Sequence, residues 1–284
     1  MTVGEAYAFC RRIAHKYGAN FSVGFRFLPK EKRRAVYAAY AFCRWADDIA
    51  DEGEAAGGKR EARLNEWQRE LDACYSGAPT HPITIALADA LKHFAIPKAA
   101  FIALIDGCRQ DMVKTRYETF DELLHYCELV AASISDISLA IFGYRSPAAI
   151  EYGRNLSTAL QLTNVTRDIG DDLARDRVYV PQDELRRFGL AEHDLFNRTE
   201  TETMRKFIEF QIARAESYFR AAEPLLSELS FDARFAVLLM GGVYATVLAR
   251  LQRNPLKVLR ERLALSSVEK IAVVLRRLAH PHFV

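Results

Sequence analysis

Residues 155–181, NLSTALQLTNVTRDIGDDLARDRVYVP, decide how the rest of the chain is interpreted. Within this stretch, polar side chains recur at steps of three, four and four: Gln161, Asn164, Asp168 and Asp172. If the stretch is helical, these side chains stack on one face and the apolar residues between them pack on the other sides. Acids and amides on an otherwise apolar helix are costly to bury without partners. We therefore expect this face to meet solvent, a cationic partner or metal ions.

The composition limits the class of protein. The chain has 284 residues, of which 50% are hydrophobic and 27% are charged, and this profile is typical of a folded globular protein. The formal net charge of +2 and the lack of a sustained basic tract argue against nucleic acid as a partner. The five cysteines are scattered without a CxxC pair, which favours reduced thiols in a helical core. We predict a cytoplasmic protein.

One apolar segment has the composition of a membrane span. Residues 235–249 carry no charge, but the run is fifteen residues long and is closed by Arg234 and Arg250. A spanning helix needs about twenty residues, so this segment is predicted to be a buried core helix. The first residues of the chain meet charges too early for a secretory signal, so none is expected there.

Helical periodicity covers almost the whole chain. Apolar residues recur at helical spacing, and no segment shows the convincing period of two that marks a strand. Helices are predicted near residues 4–17, 30–52, 60–75, 82–94, 98–110, 119–142, 147–174, 200–227, 231–252 and 267–279. An exposed loop is expected at Gly57-Gly58. Because there is no linker and no repeat, the chain is predicted to be a single all-α domain over residues 1–284.

A second concentration of acid lies at the end of the second long predicted helix. Asp47 and Asp51 are four residues apart and share a face, with Asp48 beside them. Arg44 and Tyr40 lie one and two turns earlier on that face. Like charges at this spacing destabilise a helix by roughly 0.2–0.5 kcal/mol, and acid at a helix C-terminus opposes the helix dipole. A solvated helix end is one interpretation, and a binding site is the other.

The two acidic faces together point to one chemistry. Both carry the pattern Asp-x-x-x-Asp, and both have arginines close by. If the two helices face each other, their carboxylates form an oxygen-rich cage. Mg²⁺ prefers oxygen ligands and binds through one or two carboxylates plus substrate phosphates, while arginine suits diphosphate oxygens. The pattern indicates metal-assisted departure of diphosphate from an allylic lipid, with an apolar bundle shielding the carbocation from water.

Two segments resemble the signatures of the squalene/phytoene synthase family. They are YAFCRWADDIADE at 40–52 and LQLTNVTRDIGDDLARDRVYVPQDEL at 160–185, and they stand in the family's order. The likeness extends over most of the chain, from residue 21 to PLKVLRERLALS at 255–266. The resemblance implies the all-α class I isoprenoid synthase fold with a central substrate cavity. It also implies head-to-head coupling of two prenyl diphosphates, with released diphosphate as the general base.

The resemblance also implies roles for individual residues. The implied catalytic set is Asp47, Asp51, Asp168, Asp172 and Arg44. A cluster of two or three Mg²⁺ ions would be held by Asp47, Asp48, Asp51, Asn164, Asp168 and Asp172. The side chains expected near the substrate are Tyr40, Phe21, Tyr126, Gln161, Asn164, Arg167, Arg177, Tyr179, Tyr244 and Arg262. The segment after Asp172, through Tyr179, would form a flap over the site.

Different motifs favour different branches of the family. ADDIADEG at 46–53 resembles the bacterial hopanoid-pathway squalene synthases, whereas NVTRDIGDD at 164–172 resembles first-step enzymes and phytoene synthases. Asn20-Phe21 stands where the family often has Ser-Phe, and Ser135 stands where a glycine is usual. Both departures concern the second substrate site. We expect a squalene synthase-type farnesyl-diphosphate farnesyltransferase that gives a C30 product: squalene, hydroxysqualene or presqualene diphosphate. The alternative is a phytoene synthase that couples two geranylgeranyl diphosphates.

Cofactor and membrane use are less constrained. No GxGxxG follows a strand, which disfavours a Rossmann-type NADPH site, although reductive members of the family do not use that fold. A C30 product that is left unreduced, or is reduced by a separate reductase, is preferred. The helix predicted at 267–279 carries Lys270, Arg276 and Arg277 on an apolar pattern. It either rests on a membrane surface or packs on the bundle with a solvated basic edge, which is the simpler alternative.

Two other classes of protein remain as alternatives. A di-iron bundle needs two Glu-x-x-His motifs, and the chain has one, Glu122 to His125. His280 and His282 resemble a metal pair, but histidines in such a position are more often simply exposed. A non-enzymatic helical scaffold would give no reason for two matched acidic faces. Binding of Mg²⁺ and diphosphate would separate an enzyme from a scaffold.

Overall fold

The computed structural model describes residues 1–17, 22–51 and 57–283, and most of these residues are helical. No β-strand occurs within them, and the extended backbone forms a single isolated bridge between Arg116 and Val178. The prediction of an all-α fold is therefore confirmed.

The helices follow one another along the chain with short connections. They are α1 (Val3–Tyr17), α2 (Ser22–Phe25), α3 (Lys30–Ala50), α4 (Gly57–Tyr75), α5 (Pro82–Leu91), α6 (Lys98–Asp111), α7 (Phe120–Cys127), α8 (Ser133–Phe142), α9 (Ala148–Arg167), α10 (Ile169–Leu173), α11 (Gln182–Arg187), α12 (Glu192–Phe196), α13 (Glu202–Ala222), α14 (Leu225–Glu228), α15 (Phe231–Arg253) and α16 (Ser267–Ala279). A π-helical segment (Glu128–Ala132) joins α7 to α8, and a 3₁₀ turn (Pro255–Leu259) follows α15.

The chain forms two compact units, each built from segments that are far apart in sequence. Unit 1 comprises Met1–Val113, Ser133–Ile150 and Leu226–Val237. Unit 2 comprises Lys114–Ala132, Glu151–Leu225 and Leu238–Val284. Because the chain passes repeatedly between the units, there is no single boundary along the sequence. The assignment of one domain to residues 1–284 stays a prediction.

Unit 1 is organised around α3. The helices α1, α5, α6 and α8 pack against it. Its buried side chains include many alanines, which let neighbouring helices approach closely: Ala35, Ala38, Ala39, Ala41 and Ala46. Phe42 fills the remaining space, with its ring stacked on Trp67 at 4.7 Å between centroids and edge-on to Phe101 at 4.9 Å. This packing fixes the helix that carries the first acidic face.

Unit 2 contains α10, α13 and most of α9 and α15. The 3₁₀ turn packs against both α10 and α13. A Cβ atom at Gly170 would lie 2.8 Å from the carbonyl oxygen of Val258 and 3.0 Å from that of Leu259, so only glycine allows this approach. The close contact brings the chain that follows the turn next to the second acidic face.

Several element boundaries differ from the predictions. The helix predicted over 147–174 is interrupted at Asp168, whose φ of −98° and ψ of 10° separate α9 from α10. The helix predicted over 119–142 widens into the π-helical segment. The loop predicted at Gly57-Gly58 is instead the first turn of α4. Glycine is accepted at a helix start, where the first N–H groups have no intrahelical acceptor.

Two stretches of the described chain are long and apolar enough to cross a membrane by length and composition. They are Phe120–Phe142 and Phe231–Arg253. In the second stretch, 67% of the apolar window is buried inside the protein, as predicted for residues 235–249. Core helices of globular proteins share these properties, so the two stretches are weak evidence of membrane spans.

The segment after α16 is held tightly in unit 2. Phe283 is fully buried, and a Cβ atom at Gly241 would lie 2.5 Å from its ring. Arg277 donates hydrogen bonds to the carbonyl oxygens of His282 and Phe283, at 2.5 and 2.6 Å. The backbone N–H of Phe283 donates to Glu223 at 3.1 Å. A glycine inside an apolar helix thus makes room for an aromatic ring.

The same contacts correct one expectation about α16. Arg277 was expected on a solvated basic edge, but it is only 6% exposed. It packs across Gly242, where a Cβ atom would lie 2.8 Å from its Nε atom. Its guanidinium binds the backbone of the last described residues and is shielded from solvent. His280 and His282 are exposed, as expected.

Candidate active site

The first acidic face occupies the last turns of α3, in unit 1. Arg44 donates a hydrogen bond to Asp48, four residues further along. The backbone N–H of Asp51 donates to the carbonyl oxygen of Asp47 at 2.9 Å and closes the helix. Burial raises the pKa of Tyr40 to about 12, so its phenol keeps its proton near neutral pH. Tyr40, Arg44, Asp47 and Asp48 therefore lie in the helix as their spacing predicted, and Asp51 caps it.

Asp47 is the carboxylate on this face whose surroundings most disfavour ionisation. It reaches solvent, but protein atoms enclose its other sides, and this desolvation raises the pKa of Asp47 to about 7. The negative charges of Asp51 and Asp111 raise the pKa further, while Arg44 lowers it. The thiol of Cys108 also opposes the rise, because it donates a hydrogen bond to Oδ1 of Asp47 at 3.5 Å.

Two residues of this face, Cys108 and Asp111, were not predicted from the sequence. Cys108 was expected to be one of five core thiols, and its side chain is indeed buried. Its hydrogen bond to Asp47 and the nearby charge of Asp111 give α6 a part in the site as well. Cys108 and Asp111 are three residues apart and share a helical face. That spacing is a signal that could have identified them.

The second acidic face lies in unit 2, at the junction of α9 and α10. Asp168 is bound by two guanidinium groups, one of which comes from the chain after the 3₁₀ turn. Arg167 donates to both carboxylate oxygens, at 2.7 and 2.5 Å. Arg262 also donates to both oxygens, at 2.9 and 3.4 Å. Both oxygens of Asp168 are thus engaged with cations.

Asp172 lies one turn beyond Asp168 and is partly exposed. Desolvation raises the pKa of Asp172 to about 7, and the negative charge of Asp168 adds to the effect. Arg177 and Arg175 act in the opposite direction, but they do not outweigh it. Asp172 and Asp47 therefore share one property, since each is a carboxylate held where its charge is poorly compensated.

Asn164 carries a buried oxygen without a partner. Its Nδ2 atom donates to Oε1 of Gln161 at 3.4 Å. Among the residues that the structure describes, no donor reaches its Oδ1 atom, which is buried. The hydroxyl of Tyr244 lies close to Asn164 and Arg167, and burial raises the pKa of Tyr244. A buried acceptor without a donor costs free energy, so this oxygen is available for a cation.

The segment predicted as a flap follows α10 directly. The backbone N–H of Val178 donates to the carbonyl oxygen of Thr115 at 2.9 Å. The ring of Tyr179 stacks on Tyr117 at 5.6 Å between centroids and lies 5.4 Å from Tyr126. Tyr117, which the sequence analysis missed, therefore brings the two predicted tyrosines together.

Arg116 anchors the same segment at its turn. Its guanidinium donates to the carbonyl oxygen of Asp176 at 2.5 Å, to its carboxylate at 2.7 Å and to Glu192 at 2.8 Å. Asp176 has a φ of 55°, which aspartate tolerates better than most residues. The flap is thus held in place within unit 2.

A small cavity in unit 2 lies between the charged residues and an apolar wall. Asp172, Arg177 and Tyr179 border it. The remaining lining residues are apolar: Val165, Ile169, Leu173, Val178, Val180 and Leu195. At about 10 Å³ the cavity has room for a single water molecule, so it is too small for a prenyl diphosphate.

The residues present fit a divalent cation that arrives with a diphosphate. Within the described chain, no group of three His, Cys, Asp or Glu side chains converges on one point. Mg²⁺ does not need such a group, because it binds through one or two carboxylates plus substrate phosphates. The unpartnered oxygen of Asn164 and the raised pKa values of Asp47 and Asp172 mark groups that a cation would stabilise.

Two predicted features remain to be placed. Phe21 lies outside the described residues. The Glu122–His125 motif of the di-iron alternative is engaged elsewhere, since Glu122 pairs with Lys114 at 2.8 Å and His125 pairs with Glu128 at 3.4 Å. The described residues therefore give this motif no role in a metal site.

The helical fold and the two acidic faces define a class I isoprenoid synthase. More narrowly, the chain belongs to the squalene/phytoene synthase family, whose profile matches residues 14–269. It is therefore an enzyme of the prenyltransferase class, with a place in isoprenoid biosynthesis.

Individual relatives span almost the whole chain. The 15-cis-phytoene synthase of Synechococcus elongatus is 35% identical over 273 residues, which cover 92% of this chain and 88% of the relative. That of Synechocystis is 34% identical and covers 95% of this chain and 83% of the relative. Solved structures also share the fold, among them the following two. A dehydrosqualene synthase in complex with ligand has a TM-score of 0.90 and 27% identity, and covers 98% of this chain and 97% of its own. The squalene synthase HpnC from Alicyclobacillus acidocaldarius has a TM-score of 0.84 and 31% identity, and covers 88% and 94%.

Proposed function

We propose that this protein couples two molecules of farnesyl diphosphate head to head, in a Mg²⁺-dependent reaction, to a C30 product. The observation that carries the proposal is the unpartnered Oδ1 atom of Asn164 between Gln161 and Asp168. A buried oxygen without a donor, on the same face as Asp168 and Asp172, is a group that a bound cation would satisfy.

The residues proposed to hold Mg²⁺ come from both acidic faces. They are Asp47, Asp48, Asp51, Asn164, Asp168 and Asp172. Bound Mg²⁺ would supply charge neutralisation for the departing diphosphate. The protein itself would supply the oxygen ligands. Holding Asp47 and Asp172 in their ionised forms costs electrostatic free energy, as their raised pKa values indicate. Gln161 helps by fixing the amide of Asn164.

Arginines are proposed to bind the diphosphate. Guanidinium groups match its oxygens with paired N–H donors, and we assign this role to Arg44, Arg167, Arg177 and Arg262. The side chain of Arg262 is 55% exposed, and if it moved to a phosphate, Asp168 would keep Arg167 as its partner. The side chain of Arg167 is 9% exposed, and it would keep Asp168 oriented.

Aromatic rings are proposed to stabilise the carbocation. The faces of Tyr126 and Tyr179 are negative, and they lie together beside Tyr117. Tyr40 and Tyr244 add phenols, and burial raises the pKa of each. The apolar residues around Tyr179 exclude water, which would otherwise capture the cation.

The choice of a C30 product rests on sequence and on the solved relatives. ADDIADEG at 46–53 resembles squalene synthases of the hopanoid type, and the similar structures include a dehydrosqualene synthase and a squalene synthase. The second candidate is phytoene synthesis from geranylgeranyl diphosphate. It is favoured by the curated relatives described above, which are phytoene synthases at 34–35% identity. Both candidates would use the same site residues.

We further propose that the product is left unreduced or is reduced by a separate reductase. The sequence has no dinucleotide fingerprint.

We place the enzyme in the cytoplasm, with a peripheral contact to a membrane that carries its lipid substrate. Val268 and Leu275 on α16 are 75% and 62% exposed, and the exposed Arg276 next to Leu275 suits anionic headgroups.

The decisive experiment incubates purified protein and Mg²⁺ separately with farnesyl, geranylgeranyl and presqualene diphosphate. Products are extracted and identified by mass spectrometry. A C30 product from farnesyl or presqualene diphosphate supports the proposal and shows which step is catalysed. Phytoene from geranylgeranyl diphosphate alone would replace it with the second candidate. No product from any of the three substrates would contradict both.

A further inference from the structure

We infer that Cys108 is a positioning residue that orients Asp47 for metal binding through a neutral hydrogen bond. The inference rests on the proposed function, because that function makes Asp47 a ligand. It adds a side chain on a second helix, α6, to a face that otherwise belongs to α3.

The geometry of the contact carries the inference. The Sγ atom of Cys108 lies 3.5 Å from Oδ1 of Asp47, within the range of a hydrogen bond to sulfur. The thiol is 3% exposed, so water does not compete for it. Within the described part of the chain, it is the one hydrogen-bond donor that reaches the Asp47 carboxylate. The packing of α6 on α3 holds the two groups at this distance.

Two other carboxylates of the acidic faces, those of Asp48 and Asp168, are hydrogen-bonded by arginines instead of by a thiol. Asp48 is bound by Arg44, and Asp168 is bound by Arg167 and Arg262. A guanidinium orients a carboxylate but also neutralises it. A thiol is a weak and uncharged donor, so it fixes the direction of the Asp47 carboxylate and leaves its negative charge for a cation. Within the described residues, Asp47 is the carboxylate on α3 that a neutral donor orients, while the guanidinium of Arg44 bonds Asp48.

A purely structural role for Cys108 makes different predictions. Buried cysteine often behaves as a small apolar side chain, and Cys127 in unit 2 is such a residue. If Cys108 only fills space, its replacement changes the melting temperature but not the affinity for metal. If it orients Asp47, the affinity depends on whether a donor remains at position 108.

The test measures metal affinity without turnover. The melting temperature is recorded against Mg²⁺ concentration in the presence of inorganic pyrophosphate, for the wild type, Cys108→Ala, Cys108→Ser and Cys127→Ala. Removal of a side chain that orients a metal ligand weakens metal binding by about tenfold or more. We therefore expect Cys108→Ala to raise the half-maximal Mg²⁺ concentration by about tenfold. Cys108→Ser, which keeps a donor, should stay within about threefold of the wild type, and Cys127→Ala should not change it.

Infrared spectroscopy on the wild-type protein gives a readout that does not need a folded variant at position 108. The S–H stretching band of a thiol that donates to a carboxylate lies below that of an unbonded thiol. We expect one such lowered band, which moves to higher frequency in Asp47→Asn. If no lowered band responds to Asp47→Asn, the hydrogen bond is absent and the inference is wrong.

The outcomes separate this inference from the proposed function. If the wild type shows no melting-temperature shift with Mg²⁺ and pyrophosphate and forms no product, the proposed function fails. If the wild type responds, Asp47→Asn does not, and Cys108→Ala equals the wild type, then only the role of Cys108 is overturned. Equal losses in Cys108→Ala and Cys108→Ser would also overturn it, because they would indicate packing.

Discussion

At the scale of single residues, Asp47 and Asp172 stand out because the fold holds each of them at an electrostatic cost. Desolvation raises both pKa values to about 7, whereas an aspartate in an unfolded chain titrates at about 3.9. Ionisable groups whose surroundings strongly shift their pKa are typical of functional sites. Removing the charge should therefore stabilise the protein and abolish its chemistry.

The first prediction concerns Asp47→Asn, Asp168→Asn and Asp172→Asn. Each variant should lower kcat by at least about a hundredfold, because a lost metal ligand removes several kcal/mol of stabilisation from the departing diphosphate. In the absence of Mg²⁺, Asp47→Asn and Asp172→Asn should melt no lower than the wild type. Steady-state kinetics and thermal denaturation measure the two effects. Asp183→Asn, an exposed change on α11, serves as the control, and near-normal turnover in any of the three variants would remove that residue from the site.

The second prediction follows from the direction of these pKa shifts. Between about pH 4 and pH 7 the folded protein binds more protons at Asp47 and Asp172 than the unfolded chain does. These two groups therefore contribute stability at low pH that is lost as the pH rises through about 7. Because a cation favours the ionised forms, Mg²⁺ with pyrophosphate should raise the melting temperature more at pH 8 than at pH 6. An equal rise at both pH values would contradict this, and the double variant Asp47→Asn, Asp172→Asn should lose most of the difference.

At the scale of elements, the junction between α9 and α10 shows what periodicity does and does not predict. The spacing of Gln161, Asn164, Asp168 and Asp172 predicted their shared face correctly. It could not predict the break at Asp168, because the spacing is the same for one continuous helix and for two consecutive helices. The break lies next to a tertiary contact, in which Gly170 of α10 packs against the 3₁₀ turn. The contact of Arg262 with Asp168 spans 94 residues, and no local pattern contains it.

The third prediction tests this junction with Gly170→Ala. The added methyl group would lie 2.8 Å from the carbonyl oxygen of Val258, so the 3₁₀ turn has to move and Arg262 with it. We expect a loss of about 1–3 kcal/mol in the free energy of unfolding and a higher KM. Gly4→Ala in α1 is the matched control, because nothing lies within 4 Å of a Cβ atom there. Chemical denaturation and kinetics measure both variants, and equal stability of the two would refute the role of Gly170.

At the scale of the whole molecule, the two compact units are not separate segments of the chain. Unit 1 needs α8, from residues beyond 132, because α8 packs on both α3 and α6. The fourth prediction is that a fragment of residues 1–113 gives no cooperative thermal transition by circular dichroism, since the α3 and α6 surfaces that face α8 would be exposed. The full chain is the control. A cooperative transition in the fragment would show that these segments fold without α8.

The sequence predicted the family more firmly than the product. Both acidic motifs serve the departure of diphosphate, a step that squalene and phytoene synthesis share, so they favour the family without separating its branches. Chain length depends instead on how apolar side chains limit the space for the lipid. Those side chains follow the same helical periodicity as ordinary core residues, so periodicity does not distinguish a substrate wall from a core.

The space that Gly241 leaves for the ring of Phe283 has an evolutionary consequence. A side chain at position 241 and an aromatic ring at position 283 compete for the same volume, so the two positions should covary among relatives. Where a larger residue replaces this glycine, the ring should be lost, and where the ring is kept, the glycine should be kept. The family match ends at residue 269, so an alignment limited to the shared region would show a restricted glycine without the partner that restricts it.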